Sequence, residues 1–314
     1  MTAAHLPDAK PDNWVDRLAP EKLRPWLKLG RFDRPAGAWL LMLPGWQAVA
    51  LAGAEEHHWP DLKLIVLIAV GAFLMRGAGC AYNDIVDRDY DAKVARTARR
   101  PIPAGQISVR QAWAFVAGLS LVSLAILLTM STAAKLLGVG SLALVAAYPF
   151  MKRITWWPQA WLGLTFNWGA LLGYAAATGR VGWPALLLYA SGLFWTLGYD
   201  TIYAVQDMED DALVGVKSSA RRLGERAPKA VLGFYGVCVV LALAAALAGG
   251  LGPLFLPFLA LYGFQLFWQA SRLKLGDSPL ALKLFKSNRD AGLILFVGLI
   301  AGQWHATTLP VLPW

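Results

Sequence analysis

Apolar residues recur along this chain in long runs separated by short polar segments. A helix needs about 20 predominantly apolar residues to cross a bilayer. Nine runs approach or exceed that length, at 36–54, 62–83, 109–130, 133–150, 159–178, 182–206, 230–250, 251–270 and 291–309. Gly249-Gly250-Leu251-Gly252-Pro253 divides the seventh run from the eighth and predicts a tight turn between antiparallel helices. Pro44, Pro149, Pro158 and Pro184 fall near span ends or at kinks, which neighbouring helices accommodate in a membrane. The expected fold is all-α and polytopic, with a leader at 1–35 and a single transmembrane domain at 36–314.

Composition strengthens this picture. The 314 residues are 57% hydrophobic and 16% charged, with a mean hydropathy of +0.47. A soluble domain has about 45–50% apolar and about 25% charged residues, so a soluble domain on one anchor is excluded. Residues 1–35 are charged and Pro-rich and lack the short apolar core of a signal peptide, which predicts a cytoplasmic or surface-lying leader. Cys80 and Cys238 lie inside apolar runs and read as small buried hydrophobes, neither a disulfide framework nor a metal motif.

The basic pI, near 9.6, raises nucleic acid as a partner, but topology accounts for it. With the N-terminus in the cytoplasm and the runs alternating sides, only Lys63, Arg76, Lys135 and Arg180 of the 29 Lys and Arg fall away from cytoplasmic segments. That is the bias of the positive-inside rule. The expectation is nine transmembrane helices, N-terminus inside, in contact with membrane lipid and with no nucleic acid.

The acidic residues are clustered. Four of the 20 lie in Asn83-Asp84-Ile85-Val86-Asp87-Arg88-Asp89-Tyr90-Asp91, and five lie between Asp200 and Asp211. Asp84, Asp87 and Asp91 are spaced to share one helical face, and Asp200, Asp207 and Asp211 repeat the arrangement. Asp89 points off that face and reads as solvated. Both clusters sit where even-numbered spans end, hence on the cytoplasmic side. Carboxylates stacked at a helix C-terminus repel one another and oppose the helix dipole, so a positive partner is required. Mg²⁺, held by a few carboxylates plus substrate phosphates, is the natural one. Ordinary solvated acids, or partners for the nearby arginines, are the plainer reading.

Taken together, Asn83-Asp84-x-x-Asp87-x-x-x-Asp91 and Asp207-x-x-x-Asp211 resemble the two signatures of the UbiA superfamily of intramembrane prenyltransferases. Arg96-Thr97-Ala98-Arg99-Arg100-Pro101, the Tyr148-x-x-x-Lys152 element and Gly215-Val216-Lys217-Ser218-Ser219-Ala220 agree in order and spacing. The second motif and its sequel look most like the 4-hydroxybenzoate polyprenyltransferases of ubiquinone biosynthesis. The resemblance implies helices around a central cavity, with the motifs facing each other and Mg²⁺ bridging their acids to a polyprenyl diphosphate. It assigns the metal to Asp84, Asp87, Asp91, Asp207 and Asp211, with Asn83 helping to position it; these five aspartates would be the catalytic set. Asp200 and its neighbour Tyr199 are weaker candidates.

Chemistry of the same residue types fits. Breaking an allylic C–O bond puts extra charge on diphosphate, and cations aimed at it lower the barrier. Arg88, Lys93, Arg96, Arg99, Arg100, Lys152 and Lys217 are close enough in sequence to serve. The motif match favours Lys152 and Lys217, with Tyr148. Arg99 and Arg100 are equally suited to anionic lipid headgroups. The acceptor is an electron-rich ring attacked ortho to its hydroxyl, and a carboxylate on it calls for a guanidinium fork. Arg76, two turns inside the second span, is the first candidate, because a charge at that depth is costly; Arg34 in Asp33-Arg34-Pro35-Ala36-Gly37 is the second. A structural tie from Arg76 to Asp200 or to free carbonyls stays open. Trp156, Trp157, Trp161 and Trp183 read as interfacial belt residues.

A different acceptor (haem, a naphthoate, homogentisate or chlorophyllide) and a carboxylate-lined cation transporter are the rival functions. Transporters place ionisable groups near mid-membrane, whereas these acids gather at one surface. The Asp-Gly-x-x-Ala-Arg spacing of CDP-alcohol phosphotransferases is absent. The expected location is a bacterial inner membrane, active site facing the cytoplasm.

Overall fold

The computed structural model describes residues 13–93, 97–213 and 215–308. The chain opens on two short helices, α1 (Trp14–Leu18) and α2 (Arg24–Leu29). Asn13 caps α1 by accepting from the Val15 and Asp16 amides at 3.0 and 3.2 Å, and a Lys28–Asp16 ion pair at 2.6 Å ties α1 to α2. The described part of the leader is therefore folded, with Val15 and Leu29 fully buried.

Thirteen further helices follow: α3 (Ala36–Glu55), α4 (Leu62–Asp91), α5 (Val109–Leu128), α6 (Thr132–Ile154), α7 (Pro158–Phe166), α8 (Trp168–Thr178), α9 (Trp183–Ala204), α10 (Met208–Leu213), α11 (Ser219–Leu223), α12 (Ala227–Ala248), α13 (Phe255–Arg272), α14 (Ser278–Lys286) and α15 (Asn288–Thr308). Among the described residues there is no strand. Five helical stretches there are long and apolar enough to cross a membrane: α3, α4, α5, α6, and Ser219–Ala248, which ends in α12. The other four apolar runs are helical too, but α9 mixes aromatic, hydroxyl and carboxylate side chains into its apolar sequence, α13 and α15 mix in aromatic and amide ones, and the fifth run is broken.

That break has a local cause. Asn167 stands between α7 and α8, and its side-chain amide donates to the Gly163 carbonyl at 2.8 Å and to Thr196 Oγ1 at 2.7 Å. The Gly163 carbonyl also accepts from the Asn167 main-chain amide at 3.2 Å, so the last turn of α7 stays satisfied, as apolar surroundings demand. The glycine-rich turn stands where expected, between α12 and α13, with Gly250 at φ +70°.

The chain divides into two compact units, Met1–Trp39 with Ala69–Thr129, and Leu40–Ile68 with Met130–Trp314. In the first, Leu29, Ala81, Ile85, Ile102, Ile107 and Ala112 form the core, and Trp26 packs on Phe115. Its helix α5 leaves Leu121, Val122, Leu124 and Leu128 exposed, a face suited to lipid. In the second, Trp195, Tyr199, Tyr235, Phe255 and Tyr262 are buried where α9 packs along α12 and α13 along α15. A polar network joins these helices: Trp195 Nε1 donates to Asn288 Oδ1 at 2.8 Å, and Tyr235 and Asn288 both donate to Gln269 Oε1 at 2.8 and 2.9 Å.

Small residues let α3 and α8 approach closely in the second unit. A Cβ at Gly173 on α8 would stand 2.6 Å from the Gly45 carbonyl oxygen on α3, a backbone atom that cannot swing aside. Close packing of this kind is what holds helices together once lipid removes the hydrophobic drive. Gly173→Ala is expected to destabilise the protein by about 1–3 kcal/mol, the usual cost of overpacking. Gly236→Ala, where a Cβ meets nothing within 4 Å, is expected to be neutral or mildly stabilising. Thermal unfolding of both variants in detergent checks the contrast.

Candidate functional site

The first acidic motif lies on the last turns of α4. At 1.5 Å per residue, the 30 residues of this helix run about 45 Å, against about 30 Å of bilayer hydrocarbon. Asn83 to Asp91 therefore ride on an extension of the span beyond the expected end at residue 83. Asp84, Asp87 and Asp91 are nonetheless buried, at 1%, 1% and 7% exposure. Asp89 is outside this group, its side chain 80% exposed beside Arg88.

Two guanidinium groups compensate the buried acids. Arg31 Nη2 donates to both Asp84 oxygens, at 2.7 and 2.9 Å, and its Nη1 donates to the Lys28 carbonyl at 2.9 Å. Arg100 Nη1 bridges Asp84 and Asp91 at 3.2 and 2.7 Å. Asn83 Nδ2 donates to Asp87 Oδ2 at 3.0 Å. Burial alone would push the Arg31 guanidinium down, but the Asp84 carboxylate outweighs it and the group holds its proton more firmly than usual. The loop bearing Arg100 is fixed by Thr97, which donates to the Asp91 carbonyl at 2.9 Å.

Sequence reading missed Arg31. It lies 53 positions from Asp84 and adopts φ +59°, a left-handed conformation unusual for a non-glycine residue. Its signal was a basic residue three positions before Arg34, easily taken for a topology charge. Arg99 and Arg100 part company: Arg99 is exposed, while Arg100 reaches the acids. Lys93 and Arg88 are exposed or bound to surface partners. Arg96 lies outside the described residues.

Arg76 is half-buried on α4 and stands against Gly37 at the start of α3. Arg34 is folded onto its neighbour Asp33, at 3.3 Å from Nε and 3.2 Å from Nη2. Both acceptor candidates thus belong to the first unit, in and beside the turn that precedes α3.

The second motif belongs to the second unit and is built differently. Asp200 lies on α9, Asp207 ends a 3-10 turn at Val205–Asp207, and Asp211 lies on α10; all three are half-buried. The tighter winding advances each residue by about 20° more than an α-helix, some 60° over the turn. One continuous helical face for Asp200, Asp207 and Asp211 was expected and is interrupted there. The following loop is braced through its backbone. The Val216 amide donates to the Asp211 carbonyl at 2.9 Å, Arg221 donates to the carbonyls of Val216 and Asp211, and the Arg221 guanidinium stacks on Trp156.

Lys152 and Lys217 are brought together, the Lys217 amide donating to the Lys152 carbonyl at 3.0 Å and Lys217 Nζ to the Ile154 carbonyl at 3.1 Å. Tyr148 is half-buried one turn before Lys152 on α6. Ser218 and Ser219 anchor this segment. Ser218 caps α11, and Ser219 meets Thr201 on α9 at 2.7 Å and donates its main-chain amide to Gln159 Oε1 at 3.0 Å. Tyr199 is packed into the core, receiving the Thr196 hydroxyl at 3.1 Å and lying edge-on to Trp195.

As donors for a divalent cation the first-motif side chains fit: they offer carboxylate oxygens, the hard ligands that Mg²⁺ takes. Among the described residues no three His, Cys, Asp or Glu stand close enough to hold an ion unaided. An ion here would draw further oxygens from its substrate, the usual mode for Mg²⁺.

Residues 41–299 match the UbiA prenyltransferase family. A human protein named 4-hydroxybenzoate polyprenyltransferase, mitochondrial, is 46% identical over 91% of this chain and 77% of its own length. An Arabidopsis thaliana protein of the same name is 43% identical over 94% and 72%. Among solved structures, the apo UbiA homolog from Aeropyrum pernix K1 superposes with a TM-score of 0.70 at 30% identity, covering 83% of this chain and 96% of that one. A UbiA homolog from Archaeoglobus fulgidus, solved with GPP and Mg²⁺, shares the fold at a TM-score of 0.59 and 21% identity, over 91% and 100%. The expected bacterial inner membrane is overturned by these relatives, whose names place them in mitochondria.

The Arg31–Asp84 fork generates a stability expectation. Arg31→Met leaves a buried carboxylate short of its strongest partner and should destabilise the protein by about 3–5 kcal/mol, the range for breaking a buried pair. Adding Asp84→Leu to Arg31→Met should restore most of that loss. Thermal denaturation of the two variants in detergent, with wild type alongside, measures it.

Proposed function

The chain belongs to the UbiA prenyltransferase family, and on that premise we propose that it transfers a polyprenyl group from polyprenyl diphosphate to 4-hydroxybenzoate. The new bond forms at the ring carbon ortho to the hydroxyl, as a step of ubiquinone biosynthesis. Kinship with proteins named for this activity supports the reaction. The observation in the site that carries it is the buried Asp84–Arg100–Asp91 bridge, carboxylates and a cation gathered where a metal diphosphate needs both.

In this proposal Asp84, Asp87, Asp91, Asp207 and Asp211 hold Mg²⁺, with Asn83 orienting Asp87 through its amide. Mg²⁺, when bound, supplies positive charge to the diphosphate oxygens as the allylic C–O bond breaks. The motif acids hold and orient that charge. Arg100, with Arg99, Lys152, Lys217 and Tyr148, meets the diphosphate itself; their fixed dipoles and charges need no rearrangement as negative charge grows. Arg76, with Arg34 as its neighbour in the same unit, receives the carboxylate of 4-hydroxybenzoate and presents the ring. The electron-rich carbon ortho to the hydroxyl then attacks the allylic carbon, and loss of the ring proton restores aromaticity. Asp200 and Tyr199 lie deeper along α9 and take supporting parts.

Nine spans with the N-terminus on the side of the basic loops remain the proposed topology. Its support is that all nine apolar runs are helical and that the basic residues divide by side.

Asp87→Ala and Asp207→Ala are each expected to lower Mg²⁺-dependent diphosphate release about 100-fold or more, the scale of losing a group that stabilises developing charge. EDTA should abolish the activity of wild-type membranes and excess Mg²⁺ restore it. Radiolabelled polyprenyl diphosphate, offered with 4-hydroxybenzoate, homogentisate, a naphthoate or haem, should label the first alone. Undiminished activity in both variants would refute the reaction class; labelling of a different acceptor would replace the substrate.

A further inference from the structure

One buried amide in the second unit ties together helices that are far apart in sequence. Asn288, the first residue of α15, is fully buried. An indole N–H can only donate, so the 2.8 Å bond from Trp195 Nε1 on α9 fixes Asn288 Oδ1 towards Trp195. Asn288 Nδ2 must then face the other way. Its N–H groups serve Gln269 Oε1 on α13 at 2.9 Å, and the Leu284 and Phe285 carbonyls of α14 at 3.2 and 3.3 Å. The same Gln269 oxygen accepts from Tyr235 on α12 at 2.8 Å. The two carbonyls belong to the last turn of α14, where a helix leaves them without partners of its own.

What the amide holds at Phe285 matters because of that residue's ring. Its centroid lies 4.8 Å from that of Tyr203 and 5.9 Å from that of Tyr199, the spacing of packed aromatic pairs. The two tyrosines stand on either side of Asp200 in the sequence of α9, and α14 also packs against the 3-10 turn that ends at Asp207. Helix α9 is thus gripped twice: at Trp195 by the amide itself, and at Tyr199 and Tyr203 by the ring next to the amide's own acceptors. The second grip falls on the last turns before the helix gives way to the 3-10 turn.

We propose that Asn288 is a positioning residue for the second acidic motif and acts through Phe285. It seats α14 so that the Phe285 ring holds the end of α9, and with it Asp207, in register for the metal diphosphate. The inference rests on the reading above that Asp207 and Asp211 bind that group. Neither Asn288 nor Phe285 is assigned to metal, diphosphate or acceptor, so each changes the reaction only through where the motif stands.

Asn288→Ala removes the amide, and Phe285→Leu removes the ring while leaving the amide's hydrogen bonds in place. With the purified full-length protein in detergent, KM for polyprenyl diphosphate is expected to rise about tenfold in Asn288→Ala and about threefold in Phe285→Leu, the scale of a small misplacement. KM for 4-hydroxybenzoate should stay within about twofold of wild type. The double variant should lose no more than about twofold beyond Asn288→Ala alone, because the two residues act in series. Metal-free protein gives a readout independent of turnover: amide hydrogen exchange should quicken in residues 199–213 and keep its wild-type rate in α6.

If exchange quickens throughout the chain and the diphosphate KM does not move, Asn288 serves stability alone and the proposal is lost. Additive losses in the double variant overturn it as well, since Asn288 would then act by another route. If Asp207→Ala lowers activity while Asn288→Ala and Phe285→Leu leave the diphosphate KM unchanged, the motif binds diphosphate and the positioning role is refuted. If Asp207→Ala is silent too, the reading of the second motif falls and takes the proposal with it. Should Asn288→Ala fail to fold, Phe285→Leu decides alone. A raised diphosphate KM with quickened exchange confined to 199–213 upholds the proposal, and wild-type behaviour in both refutes it.

Discussion

Three aspartates buried on one face of a helix end are an electrostatic liability, and compensating them is the constraint around which the first unit is built. Each carboxylate opposes its neighbours and the helix dipole, and burial adds a desolvation cost of several kcal/mol per ion unless a partner is fixed nearby. Arg31 supplies a fork to Asp84, and Arg100 bridges Asp84 to Asp91. Much of the local backbone is explained by delivering those two guanidinium groups. The turn at Arg31 enters the left-handed region, and the loop after α4 folds back so that Thr97 bonds to the Asp91 carbonyl. An always-charged, planar group suits this task better than an ammonium, because two bonds fix its orientation as well as its distance.

The second motif answers the same need with other means. Here a basic side chain works on the backbone: Arg221 binds the carbonyls of Asp211 and Val216 and stacks on Trp156. Ser218 and Ser219 fasten the segment to its surroundings through a cap and a buried hydroxyl pair with Thr201. The lysines that follow the motif match are held beside one another by a main-chain bond. One motif is thus held through side-chain charge pairing, while the segment around the other is held by a guanidinium on main-chain carbonyls, a cap and a hydroxyl pair.

How much of this was legible in the sequence depends on the range of each signal. Apolar runs are a local signal, and each of the nine overlaps helix, five of the stretches being long and apolar enough to cross a membrane. The i, i+3, i+7 spacing of Asp84, Asp87 and Asp91 is local as well, and the three are buried together while Asp89 is not. The missed features are those decided by distant partners. Arg31 finds Asp84 across 53 positions, and Asn167 breaks an apolar run because Thr196 is there to receive its amide. The 3-10 turn at Val205–Asp207 interrupts a face that spacing alone made continuous.

The proposed chemistry gives the ion pairs of the first motif a second purpose. A site that must receive both a divalent cation and a multiply charged anion could stand without partners beforehand, but its buried charges would then be uncompensated and the fold would suffer. It could instead hold each carboxylate against a guanidinium until substrate arrives. In that arrangement Asp84 and Asp91 would hold the metal, and Arg100 would meet the diphosphate. Every charge keeps an opposite partner before and after, so binding need not desolvate an isolated ion. Arg31 remains on Asp84 as the fixed member, because a second bond to the Lys28 carbonyl anchors it to the leader. On this view stability and substrate binding draw on the same electrostatics, and the leader takes part in the site through the Arg31–Asp84 pair.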